Sequence, residues 1–424
     1  MSLRRVTDCT VWVLVSVVAA CQGATDPSND PNIQVFAEDS AISVGRSISV
    51  SLVRMSGANS GPVAGTVSWS SSTPAVATIS PTGVVEALTE GATTISASSA
   101  GIQRTLVLQV VTTRALALGR GGTCLVRSDG RVYCWGGAGV LGPGGADSLP
   151  HRILGVPLST ISVGFGSACG LSLDSEVYCM GDGGTDFPGG GTWREALTHV
   201  VLPAKVQAIS QGSGGISCAI AVTSQAYCWG IRTGSTNPSL VQGGVRFAQI
   251  GVGFGGAAGI AEDGRLYWWD ETLVADTLMS DRRFTHISGE AFFCGITTNA
   301  ETLCWNQRVD VRTLAGAPAL VSVAHRPYNT LVLQGCGIAL GGVGYCWGRN
   351  LQGEMGTGTV SAGEDNPPAA VNTSLRFTSI HPGGGFTCAL ATNKRPYCWG
   401  SNQNGELGDG TRVDRLTPTA VRVP

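Results

Sequence analysis

From residue 33 onward, apolar residues come in short alternating runs closed by turn formers, a pattern that predicts strands. The first seven runs are Ile33–Phe36, Ile48–Val53, Val67–Ser70, Val76–Ile79, Gly83–Ala87, Thr93–Ser98 and Thr105–Val111. Thr73-Pro74, Pro81-Thr82-Gly83, Gly91 and Gly101 separate them. Seven short strands in this space predict a β-sandwich over residues 32–112. No cysteine falls inside it, so its core is expected to pack around Trp69.

After residue 113 a longer period takes over. A Pro-x-x-Val strand, an Ile-Ser-x-Gly strand, a strand bearing a cysteine, a turn and Tyr-Cys-Trp-Gly recur with anchors 36 to 52 residues apart. That period fits four strands per propeller blade, and seven units fill residues 113–424. The expected fold class is all-β, a sandwich followed by a seven-bladed β-propeller with disulfides inside the blades. The chain ends on a Pro-x-x-Val strand and the array begins without one, so the two ends are expected to share a blade and close the ring.

Cysteines sharpen the picture. Six pairs stand ten residues apart: Cys124/Cys134, Cys169/Cys179, Cys218/Cys228, Cys294/Cys304, Cys336/Cys346 and Cys388/Cys398. In the fourth unit Ala258 and Trp268 replace both partners together, as expected if each pair bonds to itself, with Trp268 filling the space of the missing bridge. If Cys124 faces Cys134, the hairpin turns through Ser128-Asp129-Gly130, and Gly130 takes the left-handed position of a three-residue loop. Gly264 and Gly342 stand at the same place. The other units put Ser, Ala or Lys there, after Asp174, Thr223, Asn299 or Asn393. Each bridge closes a short loop and contributes about 3 kcal/mol on the chain-entropy estimate. Six such bridges imply maturation in an oxidising compartment.

Composition narrows the classes. Charged residues make up 13% of the chain and the net charge is −2, which argues against nucleic-acid binding. The 61 glycines suit many short strands joined by tight turns. The two remaining cysteines, Cys9 and Cys21, lie in an N-terminal stretch built like a signal peptide. Arg4 and Arg5 precede an apolar segment, Thr10–Ala20, too short to span a bilayer comfortably.

Three resemblances follow from these residues. Val18-Ala19-Ala20-Cys21 resembles a bacterial lipobox, which implies a signal peptide over residues 1–20, cleavage before Cys21 and lipidation of Cys21. Residues 21–31 then read as a flexible tether. The run from Trp69 to Ser98 resembles the bacterial Ig-like domain, group 2, implying an immunoglobulin-like sandwich that serves as an adhesive or spacer module. The array resembles the regulator of chromosome condensation repeat, a seven-bladed propeller family, through Gly-x-x-x-x-Cys-x-Leu, Tyr-Cys-Trp-Gly and Asn402-x-x-Gly405-x-Leu407-Gly408-x-Gly410-Thr411. That family usually carries a histidine two residues before the first cysteine position. Here Gly122, Ser167 and Phe386 stand there, and units four to six are degraded.

No catalytic, cofactor or metal set emerges. Ten-residue spacing gives each cysteine pair only two ligands, against the clusters zinc needs. The five histidines (His151, His199, His286, His325 and His381) lack a shared motif and read as surface or loop residues. Trp135, Trp229, Trp305, Trp347 and Trp399 follow the second cysteine at a fixed place, which favours packing between blades over sugar stacking. Gly164-Phe165-Gly166 and Gly253-Phe254-Gly255 read as propeller turns. Glu262, Asp263 and Glu364-Asp365 show no paired arrangement.

The expectation is a non-enzymatic, exported envelope or surface lipoprotein, monomeric and without cofactors. Its membrane contact is through the lipid alone, with the outer membrane or cell surface favoured. Its partner is a protein or glycan held by the irregular loops 137–150, 180–200, 270–285, 306–318 and 349–367. The alternatives are an enzyme-inhibiting propeller, a propeller enzyme acting on polysaccharide, and the guanine-nucleotide exchange that the family's namesake performs.

Overall fold

In the computed structural model the described residues are 30–424 apart from 31, 57–58, 120, 138–145, 165, 182–193, 213–214, 231–232, 234, 290–291, 307–308, 328–332 and 364. Cys9 and Cys21, with the signal segment, lie outside them. The chain divides into two compact units, the main boundary falling between Gln109 and Val110, with Ile42–Arg46 grouped with the second unit.

The first unit is a two-sheet sandwich. One sheet orders Ile33–Ala37, Ser47–Ser56, Val84–Ala87 and Ala77–Ile79, with Asn59–Pro62 paired to the long Ser47–Ser56 strand. The other orders Ala41–Ser43, Ile102–Val111, Gly91–Ser99 and Ser68–Ser71. Two short strands, Ala41–Ser43 and Asn59–Pro62, carry no alternating run and are not marked by the sequence pattern. The alternation of Gly91–Ser99 sends Thr93, Ile95, Ala97 and Ser99 inward. Aliphatic residues such as Ile48, Val50, Leu52, Val85, Ile95, Leu108 and Val110 build the core. Trp69 does not: it is only half-buried, on an edge strand that pairs with Gly91–Ser99 alone.

The second unit is the propeller. Among the described residues it holds seven four-stranded antiparallel sheets, each contiguous in sequence. Their first strands are Thr113–Leu118, Leu158–Val163, Val206–Gln211, Phe247–Val252, Phe284–Gly289, Leu320–Pro327 and Phe377–Pro382. First strands of successive blades touch one another, including the seventh and the first, whereas fourth strands scarcely meet. The first strands therefore line the axis. Units four to six, degraded in sequence, form blades of the same strand order.

All six expected bridges form, each within one hairpin. Cys124 is bonded to Cys134 in blade 1, Cys169 to Cys179 in blade 2 and Cys218 to Cys228 in blade 3. Cys294 is bonded to Cys304 in blade 5, Cys336 to Cys346 in blade 6 and Cys388 to Cys398 in blade 7. The partners stand directly opposite each other in register, with Cα separations of 4.0–4.1 Å. That is closer than the 4.5–5.5 Å of ordinary opposed residues, because the short sulfur link draws the two strands together. All twelve cysteines are buried. In blade 4, Ala258 opposes Trp268, and both are buried at the bridge position. Every hairpin turn ends on a residue at positive φ (Gly130, Ser175, Ser224, Gly264, Ala300, Gly342 and Lys394), and in blade 6 Gly341 shares that conformation. The seven end positions are those the hairpin argument singles out, including the four without glycine.

The closure expected from the chain ends does not occur. The last strand, Arg415–Ala420, pairs with Pro396–Gly400 of its own blade, and Thr113–Leu118 pairs with Gly122–Arg127. The repeating unit starts one strand later than the sequence frame suggested, with the Ile-Ser strand, because neighbouring strands in the chain pair first. The ring is joined by packing and hydrogen bonds instead.

Candidate functional site

Strand order fixes which connections share a face. Links from first to second and from third to fourth strand emerge on one face, called here the loop face. Hairpin turns and blade-to-blade connectors emerge on the other, the turn face.

The loop face is dominated by two long third-to-fourth connections, 349–365 in blade 6 and 401–414 in blade 7. Each contains the same loop, Asn350–Thr359 and Asn402–Thr411, folded around its asparagine. Asn402 is fully buried. Its Oδ1 accepts from Leu407 N at 3.0 Å, and its Nδ2 donates to Thr411 O, Val413 O and Asp409 Oδ1 at 3.1–3.2 Å. Asn350 repeats the pattern with Met355 N and Thr359 O.

Each loop reaches onto the next blade. Trp399 Nε1 and Thr387 Oγ1 of blade 7 donate to Glu354 O at 2.9 and 2.8 Å. Across the ring closure, Trp135 Nε1 of blade 1 donates to Glu406 O at 2.8 Å. Gly358 N donates to Leu416 O, and Gly410 N to Ser148 O, at equivalent places on the two outer strands. Gly356 and Gly408 lie so close to the indoles that a Cβ on either would stand 2.6 Å from the indole nitrogen; both have positive φ. The same clasp thus joins blades 6 and 7 and blades 7 and 1, and an apolar cluster including Leu116, Trp135, Phe386 and Leu407 fills the closing junction.

On the turn face a second bond repeats around the ring. The carbonyl of the left-handed turn residue accepts from the start of the next blade: Leu158 N to Gly130 O, Val206 N to Ser175 O, Phe247 N to Ser224 O, and at closure Thr113 N to Lys394 O, at 2.7–3.2 Å.

The wall around the axis is narrow in chemistry. Several of its polar side chains bond the neighbouring blade. Ser162 and Ser210 hydroxyls accept from Gln211 N and Val252 N. Gln249 donates to Thr285 O and accepts from Ile287 N, and His286 Nε2 donates to Val323 O at 3.0 Å. Among the described residues, no group of three or more His, Cys, Asp or Glu side chains is gathered as a metal-ligand set.

The histidines divide. His151 and His199 sit on outer strands beside Asp147 and Glu176, as a surface role requires. His286, His325 and His381 do not fit that expectation. They occupy the first strands of blades 5, 6 and 7, which the ring brings to the axis although the residues lie 39 and 56 positions apart in sequence. Burial lowers all three pKa values, to about 4 for His325 and His381. The nearby His286 adds to the lowering of His381. Their signal in sequence was their place in the Ile-Ser strand, as in His286-Ile287-Ser288 and Ile380-His381.

The carboxylates singled out from sequence are spent on surface pairs. Glu262 accepts from Arg246 and Ser224, which lowers its pKa, and Asp263 stands 3.4 Å from Arg265. Glu364 lies outside the described residues. All five tryptophans after the second cysteine are buried between blades, as packing requires.

The five irregular segments do not form one surface. Residues 138–145 and 182–193 lie outside the described residues, while 147–150, 194–200, 276–278 and 309–313 belong to outer strands. Residues 279–283 and 314–318 belong to connectors on the turn face. In 349–367, Asn350, Glu354 and Met355 are buried in the clasp.

Exposed apolar residues lie on both faces: Phe254, Val274, Leu351, Val360 and Val413 are spread over the loop face, and five others stand on the turn face. The first turn residue is Leu173, Val222 or Leu340 in blades 2, 3 and 6, where the other blades place Ser128, Glu262, Thr298 or Thr392. Connector residues Leu154 and Val201 flank the turns of blades 2 and 3. These five turn-face residues are at least 56% exposed. Sequence reasoning passed over them because it weighed loop length, and these turns are short.

Comparison with known proteins agrees with this architecture. Residues 32–107 match the bacterial Ig-like domain (group 2), and residues 395–424 match the regulator of chromosome condensation (RCC1) repeat. The Ig-like match thus covers the sandwich, and the RCC1-repeat match falls within the last blade of the propeller. It is 27% identical to the ultraviolet-B receptor UVR8 of Arabidopsis thaliana over 233 residues, 51% of this chain and 46% of the receptor. It is 27% identical to the probable E3 ubiquitin-protein ligase HERC4 of Homo sapiens over 104 residues, 24% of this chain and 9% of that protein. The chain thus spans less than half the length of these relatives. Among solved structures, Prp20p of Saccharomyces cerevisiae, described with its binding to Gsp1p and histones, superposes with a TM-score of 0.57 at 19% identity, covering 69% of this chain and 85% of that one. Yeast RCC1 (Prp20) bound to Kap60 gives 0.56 at 18% identity, covering 69% and 83%. At these identities the likeness concerns the fold.

Proposed function

We propose that this protein is a non-enzymatic envelope lipoprotein whose propeller binds a protein partner through its turn face, with the Ig-like domain as stalk. The observation that carries the reading is the apolar crescent of Leu154, Leu173, Val201 and Val222 over blades 1 to 3. Exposed apolar groups collected in one sector mark protein contacts more than catalytic or glycan sites. The loop-face segments favoured by sequence are less suited where their residues already hold the next blade. Binding is supported by the axial wall, where Ser162, Ser210, Gln249 and His286 are engaged in holding blades together. The protein-binding yeast propellers of like fold are in keeping with this.

Six buried bridges support export, and Cys21 is the proposed lipid attachment. The test uses two variants of the lipid-free ectodomain as bait on envelope extracts. Leu173→Asp with Val222→Asp is expected to abolish partner capture, and Val360→Asp with Val413→Asp on the loop face to leave it intact. The opposite outcome moves the site back to the loop face. Palmitate labelling that survives Cys21→Ala would remove the anchor from the proposal.

A further inference from the structure

The three axial histidines lie in one sector. His286, His325 and His381 stand on the first strands of consecutive blades 5, 6 and 7. His286 bridges to blade 6 through Val323 O, two residues before His325 on the same strand. His325 is only 4% exposed. His381 keeps some solvent contact, but the crowded wall still desolvates it.

Among the described residues, the strands around these imidazoles offer no anion. The strands packed against the three first strands are Phe247–Val252, Ala257–Ala261, Phe293–Thr297, Leu333–Ala339, Phe386–Ala391 and Thr113–Leu118. None carries an aspartate or glutamate, and their cysteines are bonded or, in blade 4, absent. The charged residues on these strands and on the three first strands are Arg114, exposed, and Arg326, both cationic. Glu354, on the loop between blades 6 and 7, lies 3.5 Å from Arg349 and accepts from Gln352 N. The other blades place small or neutral groups at the same wall positions. Ser162, Ser210 and Ser288 correspond to His381, Gln249 to His286, and Val163 and Val252 to His325.

We propose that blades 5 to 7 form an acid-sensitive sector, in which protonating His286, His325 and His381 loosens three adjacent blades while blades 1 to 4 hold. Like charge introduced into a wall without counter-ions is relieved only by letting water in. The unfolded chain takes up these protons near pH 6.5, whereas folded His325 and His381 do so near 4. Between those values the unfolded state binds more protons. Stability is therefore full above pH 6.5 and falls as pH drops toward 4. The loss approaches about 300-fold in the unfolding equilibrium for each of these two histidines. Asp129, Glu176, Glu262 and Asp409 have lowered pKa values, so their contribution is lost as pH falls from the ordinary carboxylate range through those lowered values, below most of the histidine window.

The experiment takes the full mature chain through denaturant unfolding from pH 8 to 4, with hydrogen exchange at pH 7 and 5. The comparison variant is His286→Gln with His325→Val and His381→Ser, each residue taken from the same position in another blade. The expected result is a wild-type loss between pH 6.5 and 4 that the variant largely removes, with protection falling first in the first strands of blades 5 to 7. An unchanged slope in the variant, or uniform loss of protection around the ring, overturns the proposal. Should the variant not fold, histidine ring titration by NMR in the wild type decides: midpoints near 6.5 for His325 and His381 overturn it, and midpoints near 4 sustain it.

Discussion

Two parts of the same ring solve the junction between blades differently. At junctions 6/7 and 7/1 an asparagine-centred loop lowers a backbone carbonyl onto the tryptophan of the next blade. At junctions 4/5 and 5/6 the connections are short, residues 270–275 and 307–308, and among the described residues the equivalent Trp305 and Trp347 are buried with no acceptor for the indole N–H. A buried donor left unpaired costs about 1–3 kcal/mol. The clasped junctions avoid that cost, and one of them is the seam where the chain must meet its own beginning. The stronger joint is placed where no covalent continuity helps.

The largest expected effect comes from opening a clasp. Asn402→Ala removes the asparagine side-chain bonds that cross the 402–411 loop and leaves buried backbone groups unpaired, at a cost of about 3–4 kcal/mol. Urea unfolding should show it, and a loss under about 1 kcal/mol would mean that packing alone seals the ring. A finer comparison sets Trp399→Phe against Trp347→Phe. Both lose similar volume, but only the first breaks a hydrogen bond and strands Glu354 O with Thr387 alone. Trp399→Phe should cost about 1–2 kcal/mol more, read as the difference between two thermal unfolding curves. Equal costs would erase the distinction between the two kinds of junction.

The smallest effect concerns the turns. Ala300 and Lys394 hold φ of 60° and 62° without being glycine. Replacing either with glycine relieves strain and should raise stability by up to about 1 kcal/mol, whereas Gly130→Ala should lower it by a similar amount or more. Differential scanning calorimetry checks the sign.

What was legible in the sequence was what repeats locally. The ten-residue cysteine spacing fixes which residues face each other, and the turn position follows by counting inward, even where serine, alanine or lysine occupies it. The blade frame was misread by one strand because a repeat has no intrinsic starting point. Only the pairing of Arg415–Ala420 with its own blade decides it. Trp69 attracted attention as the largest apolar residue of the sandwich, yet aliphatic alternation in strands such as Gly91–Ser99 fills that core. The three axial histidines were invisible as a group because the ring, a long-range property, brings them together. The turn-face crescent was hidden by an assumption that recognition needs long loops.

The hairpin bridges carry a consequence for how the molecule is made. Twelve cysteines admit on the order of ten thousand pairings. Here every correct partner lies ten residues away across a single turn, so each bond can close once that hairpin alone has emerged. Oxidation then proceeds blade by blade with little need for reshuffling, and the final seam, the one step that requires the whole chain, is left to reversible contacts that correct themselves.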